Sequence, residues 1–215
     1  MEVDRLRPGE ELNEGAVTAP RPAASVIVLR NDTQALEVLL VQRNPAQRFM
    51  GGAWVFPGGA LDPEDGEGQP GLRAAGLREC AEEAGVALTG LDALEPWSRW
   101  ITPAQVKIRF DTWFYLAPAP ADASPRVDGY ECVDWRWSSP GATLAAHAAD
   151  ELSLVFPTVR HLEQLSAFES AEELLAFARG RTVEPIEPRV WMEGETARVV
   201  LPGEPVRGGR PWMRP

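Results

Sequence analysis

Two linked segments constrain the fold more than any other part of the sequence. They are Trp54-Val55-Phe56-Pro57-Gly58-Gly59 and, further on, Arg78-Glu79-Cys80-Ala81-Glu82-Glu83-Ala84-Gly85-Val86. A short run of strand formers is stopped by Pro57-Gly58-Gly59. The polar, Gly- and Pro-rich stretch from Asp62 to Gly71 then leads into a helix from about Leu72 to Ala84. Gly85 suits the position just past the end of that helix. On the helix, Glu82 and Glu83 follow Glu79 by three and four residues, so the three carboxylates share one face. Leu77, Cys80, Ala81 and Ala84 take the other side and pack inward. Crowded carboxylates repel one another unless cations intervene, and hard oxygen donors of this kind suit Mg²⁺ or Mn²⁺. Arg78 is placed to reach Glu82 one turn on. Gly58-Gly59 lets the backbone pass close to a metal or to phosphates, and a carbonyl of this turn is a further candidate oxygen ligand.

Around these segments the chain alternates strands and helices. Ala24 to Leu29 reads as a buried strand, Asn31-Asp32 as a turn and Leu36 to Gln42 as a second strand, together a hairpin-like pair. Phe110 to Leu116 and Tyr130 to Trp137 are rich in strand formers, with Trp135 and Trp137 on one strand face. Pro157 to Phe168 and Ala171 to Arg179 have helical periodicity. The expected organisation is a loose lead-in over 1–20, a core domain over 21–150, C-terminal helices packed on it over 151–185, and an extended Pro-rich tail over 186–215. Strands, a helix, more strands and then helices make an α/β sandwich with a helical C-terminal extension.

Composition narrows the function classes. With 215 residues, 44% of them hydrophobic and 25% charged, the chain is long enough for a substantial core. No apolar run approaches the roughly 18 residues that span a bilayer. Met1-Glu2-Val3-Asp4-Arg5 does not read as a signal peptide, so the expectation is a soluble, cytoplasmic protein. Cys80 and Cys132 lack metal-type spacing and read as two small buried thiols. A net charge of −11 argues against nucleic-acid binding, which relies on basic surface. It does not argue against a phosphorylated substrate, because bound cations reverse the local sign. His147 and His161 have no partnering pattern and read as non-catalytic. The tryptophans read as core, apart from Trp54, which stands just before the glycine turn.

Acidic residues at helical spacing are ordinarily a solvated face, and Glu82-Glu83 alone would be read so. The whole pattern, however, resembles the Nudix box, G-x5-E-x7-R-E-U-x-E-E-x-G-U, where U is aliphatic. Arg78, Glu79, Glu82, Glu83, Gly85 and Val86 match it, with Cys80 in an aliphatic position. Counting from Gly58 puts Glu64 at the first acidic position, and counting from Gly59 puts Asp65 there; either way the Asp62–Gly71 loop carries an insertion. The resemblance implies an α/β/α sandwich with a mixed sheet. It also implies metal-dependent hydrolysis of a nucleoside diphosphate linked to another moiety, with Glu79, Glu82 and Glu83 as ligands of Mg²⁺ or Mn²⁺. A general base outside the box varies among such enzymes, and Glu131, flanked by Asp128 and Asp134, is the candidate here.

A second resemblance concerns the stretch Leu39 to Gly59. Leu39, Leu40, Arg43, Arg48, Gly52 and Phe56-Pro57-Gly58-Gly59 are similar to the segment preceding the box in coenzyme A diphosphatases. A divergent, peroxisomal-type branch resembles this chain further in Arg48-Phe49-Met50, the inserted box, Arg109 to Phe114, and the segment opening at Leu154-Val155-Phe156-Pro157-Thr158. Trp212-Met213-Arg214-Pro215 does not read as a peroxisomal address, so the peroxisomal label is expected to stay with the relatives. The implied reaction converts coenzyme A or an acyl-coenzyme A to 3′,5′-ADP and a 4′-phosphopantetheine product. Arg43 and Arg48 then become candidate phosphate anchors, beside Gly58 and Gly59. Competing expectations are a diphosphatase for ADP-ribose or dinucleotides, and a non-catalytic Nudix ligand-binding module. The expected partner is a small-molecule nucleotide, with no nucleic acid or membrane, and the C-terminal helices are a candidate homodimer surface.

Overall fold

The strand β1, Arg21–Asn31, is buried from Ala23 to Leu29, as its unbroken apolar run requires of a strand covered on both faces. In the computed structural model, which describes residues 12–13, 15–32, 35–194, 196–206 and 209–211, it lies in the middle of a mixed sheet. β2 (Leu36–Arg43) pairs with it antiparallel, and β6 (Phe110–Pro118) runs parallel to it from Arg21 beside Phe110 to Leu29 beside Pro118. β3 (Trp54–Val55) and β7 (Cys132–Ser138) pair with β2, and β4 (Gly58–Ala60) pairs with β1. β5 (Glu95–Ile101) follows β6 antiparallel, and β8 (Pro185–Ile186) closes the far edge parallel to β5. β5 was not expected, because Pro96 interrupts its pattern; the pairing with β6 shifts register between Pro96 and Ser98.

Side chains alternate between two cores. Val26, Val28, Tyr115 and Ala117 face α1 (Gly68–Ala84), which packs through Leu72, Ala75, Cys80 and Ala84. Ile27, Leu29, Phe114 and Leu116 face the C-terminal helices α3 (Phe156–Leu165) and α4 (Ala171–Ala178). Between β7 and α3 lies a helix the sequence did not announce, α2 (Pro140–Ala148), whose Ser139 caps it by accepting from the Ala142 N–H. The sheet therefore sits between α1 and the C-terminal helices, an α/β/α sandwich.

Several segments differ from expectation. α1 begins four residues before Leu72, since Pro70 in the first turn forfeits only an N–H that has no intrahelical partner there. On its inner side Ala81 is exposed rather than buried, whereas Cys80 and Ala84 are fully buried. The tail is not merely extended: β9 (Arg189–Glu193) and β10 (Thr196–Val200) form an antiparallel hairpin that buries Val190, Val199 and Val200, with β11 (Arg210–Pro211) alongside β9. Of the lead-in, residues 1–11 and 14 lie outside the described residues, as do 212–215 of the tail. The rest of the lead-in is fastened: Leu12 bridges Val106, and the Asn13 N–H donates to Gln105 O at 2.7 Å. Both cysteines are free and buried. Among the described residues no helix is long and apolar enough to cross a membrane.

Candidate active site

The glycine turn and α1 meet at a cavity of about 360 Å³. Ser25 Oγ donates to Pro57 O at 3.0 Å and the Val26 N–H to the same carbonyl at 2.9 Å, which pins the turn to β1. The Gly58 N–H then donates to Glu83 Oε2 at 2.9 Å. A side chain at Gly58 would collide with Ala24 O and the Ser25 backbone, and one at Gly59 would occupy the place of the Glu79 carboxylate. Both glycines are therefore demanded by close approach, one to a strand and one to an acid.

Three carboxylates face the cavity: Glu79 and Glu83, one helical turn apart on α1, and Glu131, from the turn before β7. Glu83 is only 3% exposed; burial, with repulsion from Glu79 and Glu131, raises its pKa to about 7 against the pull of the Gly58 N–H and Arg43. Burial also raises that of Glu79, with Glu82 and Glu131 adding to it and Arg78 opposing. Asp128 shapes the Glu131 turn by accepting from the N–H groups of Tyr130, Glu131 and Cys132 at 3.0–3.1 Å. Glu82 differs from its neighbours: its side chain is 61% exposed and beside Arg78.

Arg78 is the hub of the α1 acids. It donates to both Asp65 oxygens (3.1 and 2.8 Å), to Glu79 at 2.8 Å, to Glu82 at 3.1 Å and to Ala60 O at 3.1 Å. This decides between the two readings of the insertion: Asp65, not the exposed Glu64, is the acid gathered into the network, and Arg78 holds its pKa below the usual range. Arg43 comes within 3.6 Å of Glu83 and faces the cavity. Arg48 is exposed and does not line it.

As they stand, no three His, Cys, Asp or Glu side chains among the described residues are drawn together tightly enough to hold a metal ion. The donor set nevertheless fits a hard dication. Glu79 and Glu83 are carboxylates whose charges are disfavoured by burial and mutual repulsion, which a cation would relieve.

From the acids the cavity runs across the strands. Ala60, Ala23, Thr112 and Trp100 line it side by side in one register row over β4, β1, β6 and β5. Small residues, Ala23 and Thr112, floor its middle, while Phe114 in the next row and Phe110 in the row before wall it. Phe49 packs against Phe110 with ring centroids 5.7 Å apart. The first turn of α3 roofs it with Phe156, Pro157 and Thr158. Phe49, Phe110, Phe114 and Phe156 fall in segments that carry the resemblance, but the sequence did not mark them as one wall, because the row exists only once four strands are in register. Trp54, which the sequence did single out, is buried away from this cavity beneath Arg136.

The NUDIX domain family matches residues 19–158. The chain belongs to the Nudix family. With Arg78, Glu79, Glu82 and Glu83 in place, it is a Nudix diphosphatase. It is similar to the acyl-coenzyme A diphosphatase of Homo sapiens, 26% identical over 271 residues, covering 80% of this chain and 72% of that one. A crystal structure of a Nudix hydrolase from Alicyclobacillus acidocaldarius superposes with a TM-score of 0.69 at 28% identity, covering 75% of this chain and 97% of that one. The Nudix domain of Shewanella oneidensis NrtR, solved with ADP-ribose, shares the fold at a TM-score of 0.55 and 23% identity, covering 74% and 90%.

Proposed function

We propose that this Nudix enzyme hydrolyses the diphosphate of coenzyme A or an acyl-coenzyme A, releasing 3′,5′-ADP and a 4′-phosphopantetheine product. The observation that carries this reading is the cavity's asymmetry. Its acids and Arg43 lie at the glycine turn, and the rest is a trench walled by Phe110, Phe114, Trp100 and Phe156, with Arg21 over the Phe110 ring the one further charge among the described residues. A pantetheine arm has long apolar stretches that suit these aromatic walls, and Thr102, Thr112 and Thr158 among the lining offer hydroxyls to its amides. The similarity to a human acyl-coenzyme A diphosphatase supports the same choice.

In this reading Glu79, Glu82 and Glu83 are the ligands for Mg²⁺ or Mn²⁺, with Glu82 turning in from solvent. The bound cation would neutralise phosphate charge and lower the pKa of the attacking water. Glu131, on the wall facing α1, accepts the proton from that water. Arg43 offers its guanidinium to the phosphates, and Arg48 contributes only if its loop folds over bound substrate. Gly58 and Gly59 let the diphosphate approach the backbone while keeping Glu83 and Glu79 oriented. A cytoplasmic location and a homodimer through the C-terminal helices belong to the same proposal. Light scattering at working concentration decides the latter.

The test is incubation with coenzyme A, acetyl-coenzyme A, ADP-ribose and NADH, with Mg²⁺ or Mn²⁺, and product identification by mass spectrometry. Release of 3′,5′-ADP is expected, and Glu83→Gln is expected to reduce it by roughly a hundredfold or more, since cation stabilisation amounts to several kcal/mol. Cleavage of ADP-ribose or NADH alone would retain the chemistry and discard the substrate.

A further inference from the structure

The trench has a far end, and that end is built by residues outside the matched domain. From Ala60 on β4 to Trp100 on β5 the lining row crosses three inter-strand steps, about 14 Å at the usual strand spacing. Two residues past β8, Pro188 lines the cavity, and so does Val199 on β10. Both lie beyond the residues 19–158 that define the family match. Val199 is 7% exposed and packed in the same core as Trp100 and Phe156, whose rings meet edge-on at 6.1 Å. The wall is anchored on two sides. Arg109 bonds Glu187 at 2.9 Å, and Arg160 of α3 bonds Glu204, just past β10, at 2.8 Å. All the charged lining residues, Arg21, Arg43, Glu79, Glu83 and Glu131, belong to the β1, β2, α1 and β7 side; none comes from β5, α3 or the hairpin.

Resting on the coenzyme A reading, we propose that the C-terminal hairpin is a chain-length stop. Val199, with Pro188 beside it in the lining, limits the enzyme to free coenzyme A and short acyl thioesters. Roughly thirteen bonds separate the diphosphate phosphorus from the thioester sulfur, and an extended chain advances about 1.2 Å per bond, so the arm spans about 16 Å. Laid along the trench from the acids, it brings the sulfur just past Trp100, against the wall that Pro188 and Val199 make, where a short acyl group such as acetyl or propionyl is the most that fits. The volume agrees: about 360 Å³ is at the small end for ligand cavities, and a long alkyl chain would need a good deal more.

The experiment measures kcat/KM from 3′,5′-ADP release with free, acetyl-, octanoyl- and palmitoyl-coenzyme A for the wild type, Val199→Ala and Val199→Trp. Val199→Leu serves as a milder filling variant, and each melting temperature is recorded. The wild type is expected to lose about tenfold or more between acetyl and octanoyl, as a pocket that has run out of room does. The octanoyl-to-acetyl ratio should rise several-fold in Val199→Ala, and the acetyl-to-free ratio should fall in Val199→Trp and, less, in Val199→Leu. Equal turnover of acetyl and palmitoyl thioesters by the wild type overturns the stop and leaves the substrate reading intact. So do ratios that stay put in folded variants. Absence of 3′,5′-ADP from every coenzyme A compound overturns the substrate reading, and the stop with it.

Discussion

A methyl group at position 59 would take the space in which the Glu79 carboxylate lies. Nothing about the backbone forces glycine there, because the turn's demand is for volume and not for an unusual dihedral. Gly59→Ala should therefore fold, with a melting temperature close to that of the wild type, while pushing Glu79 away from the cavity. A displacement of about 1 Å at a catalytic group costs roughly a hundredfold. Steady-state kinetics beside a thermal melt will show whether kcat/KM falls while stability holds; parallel loss of both would mean that the glycine serves the fold alone. At the same scale, Arg78 explains why an insertion in the box is tolerated. Its guanidinium collects Asp65 from the inserted loop and Glu79 and Glu82 from the helix, so the loop can lengthen while the acid still arrives.

At the scale of the element, α1 must stop at a set point to deliver Glu83 in its last turn, one residue before its end. Gly85 does this with φ 64°, and its N–H reaches Ala81 O at 3.1 Å while the Val86 N–H closes on Cys80 O at 3.2 Å. A side chain here meets two obstacles, the left-handed backbone and the Arg126 carbonyl 2.7 Å from where a Cβ would stand. Gly85→Ala should lower stability by about 1–2 kcal/mol from the backbone alone, and more if Arg126 cannot yield. Urea unfolding would register this as a lower midpoint at unchanged m. A midpoint equal to that of the wild type would show that the cap is dispensable.

Across the whole molecule, one buried histidine joins the layers. His161 of α3 is fully buried, with Nε2 2.6 Å from Ser98 Oγ on β5 and its ring centroid 4.3 Å from that of Phe114. Burial pushes its pKa down to about 3, against a smaller upward pull from the Pro157 carbonyl. The unfolded chain, with this residue near 6.5, binds a proton that the native state refuses anywhere between the two values. Stability is thus lost as pH falls from about 6.5 towards about 3, by about 1.4 kcal/mol per pH unit within that window. Denaturant midpoints from pH 7 down to 4.5 should decline less steeply for His161→Gln than for the wild type. Identical slopes would remove His161 as the cause.

Much of this protein is written locally. The α1 acids, the Arg78 beside them, the Gly85 stop and the Pro57-Gly58-Gly59 turn follow from helical spacing and glycine chemistry within a few dozen residues, and the family follows with them. The strands β1, β2 and β6 were legible for the same reason, since each is a dense local run of strand formers. What lay beyond reach needed partners distant in sequence. Spacing alone put Glu79, Glu82 and Glu83 on one face, but only tertiary packing buried Glu83, left Glu82 in solvent and brought Glu131 across from the turn before β7. Pro96 masked β5, and the hairpin of β9 and β10 was hidden in a proline-rich tail because its stability comes from burying Val190, Val199 and Val200 against the rest of the molecule. The chemistry of the diphosphate is thus set by short-range sequence, where backbone geometry and charge spacing act. The shape of the trench beside it was decided by tertiary structure, because register across β4, β1, β6 and β5 exists only once the sheet has formed.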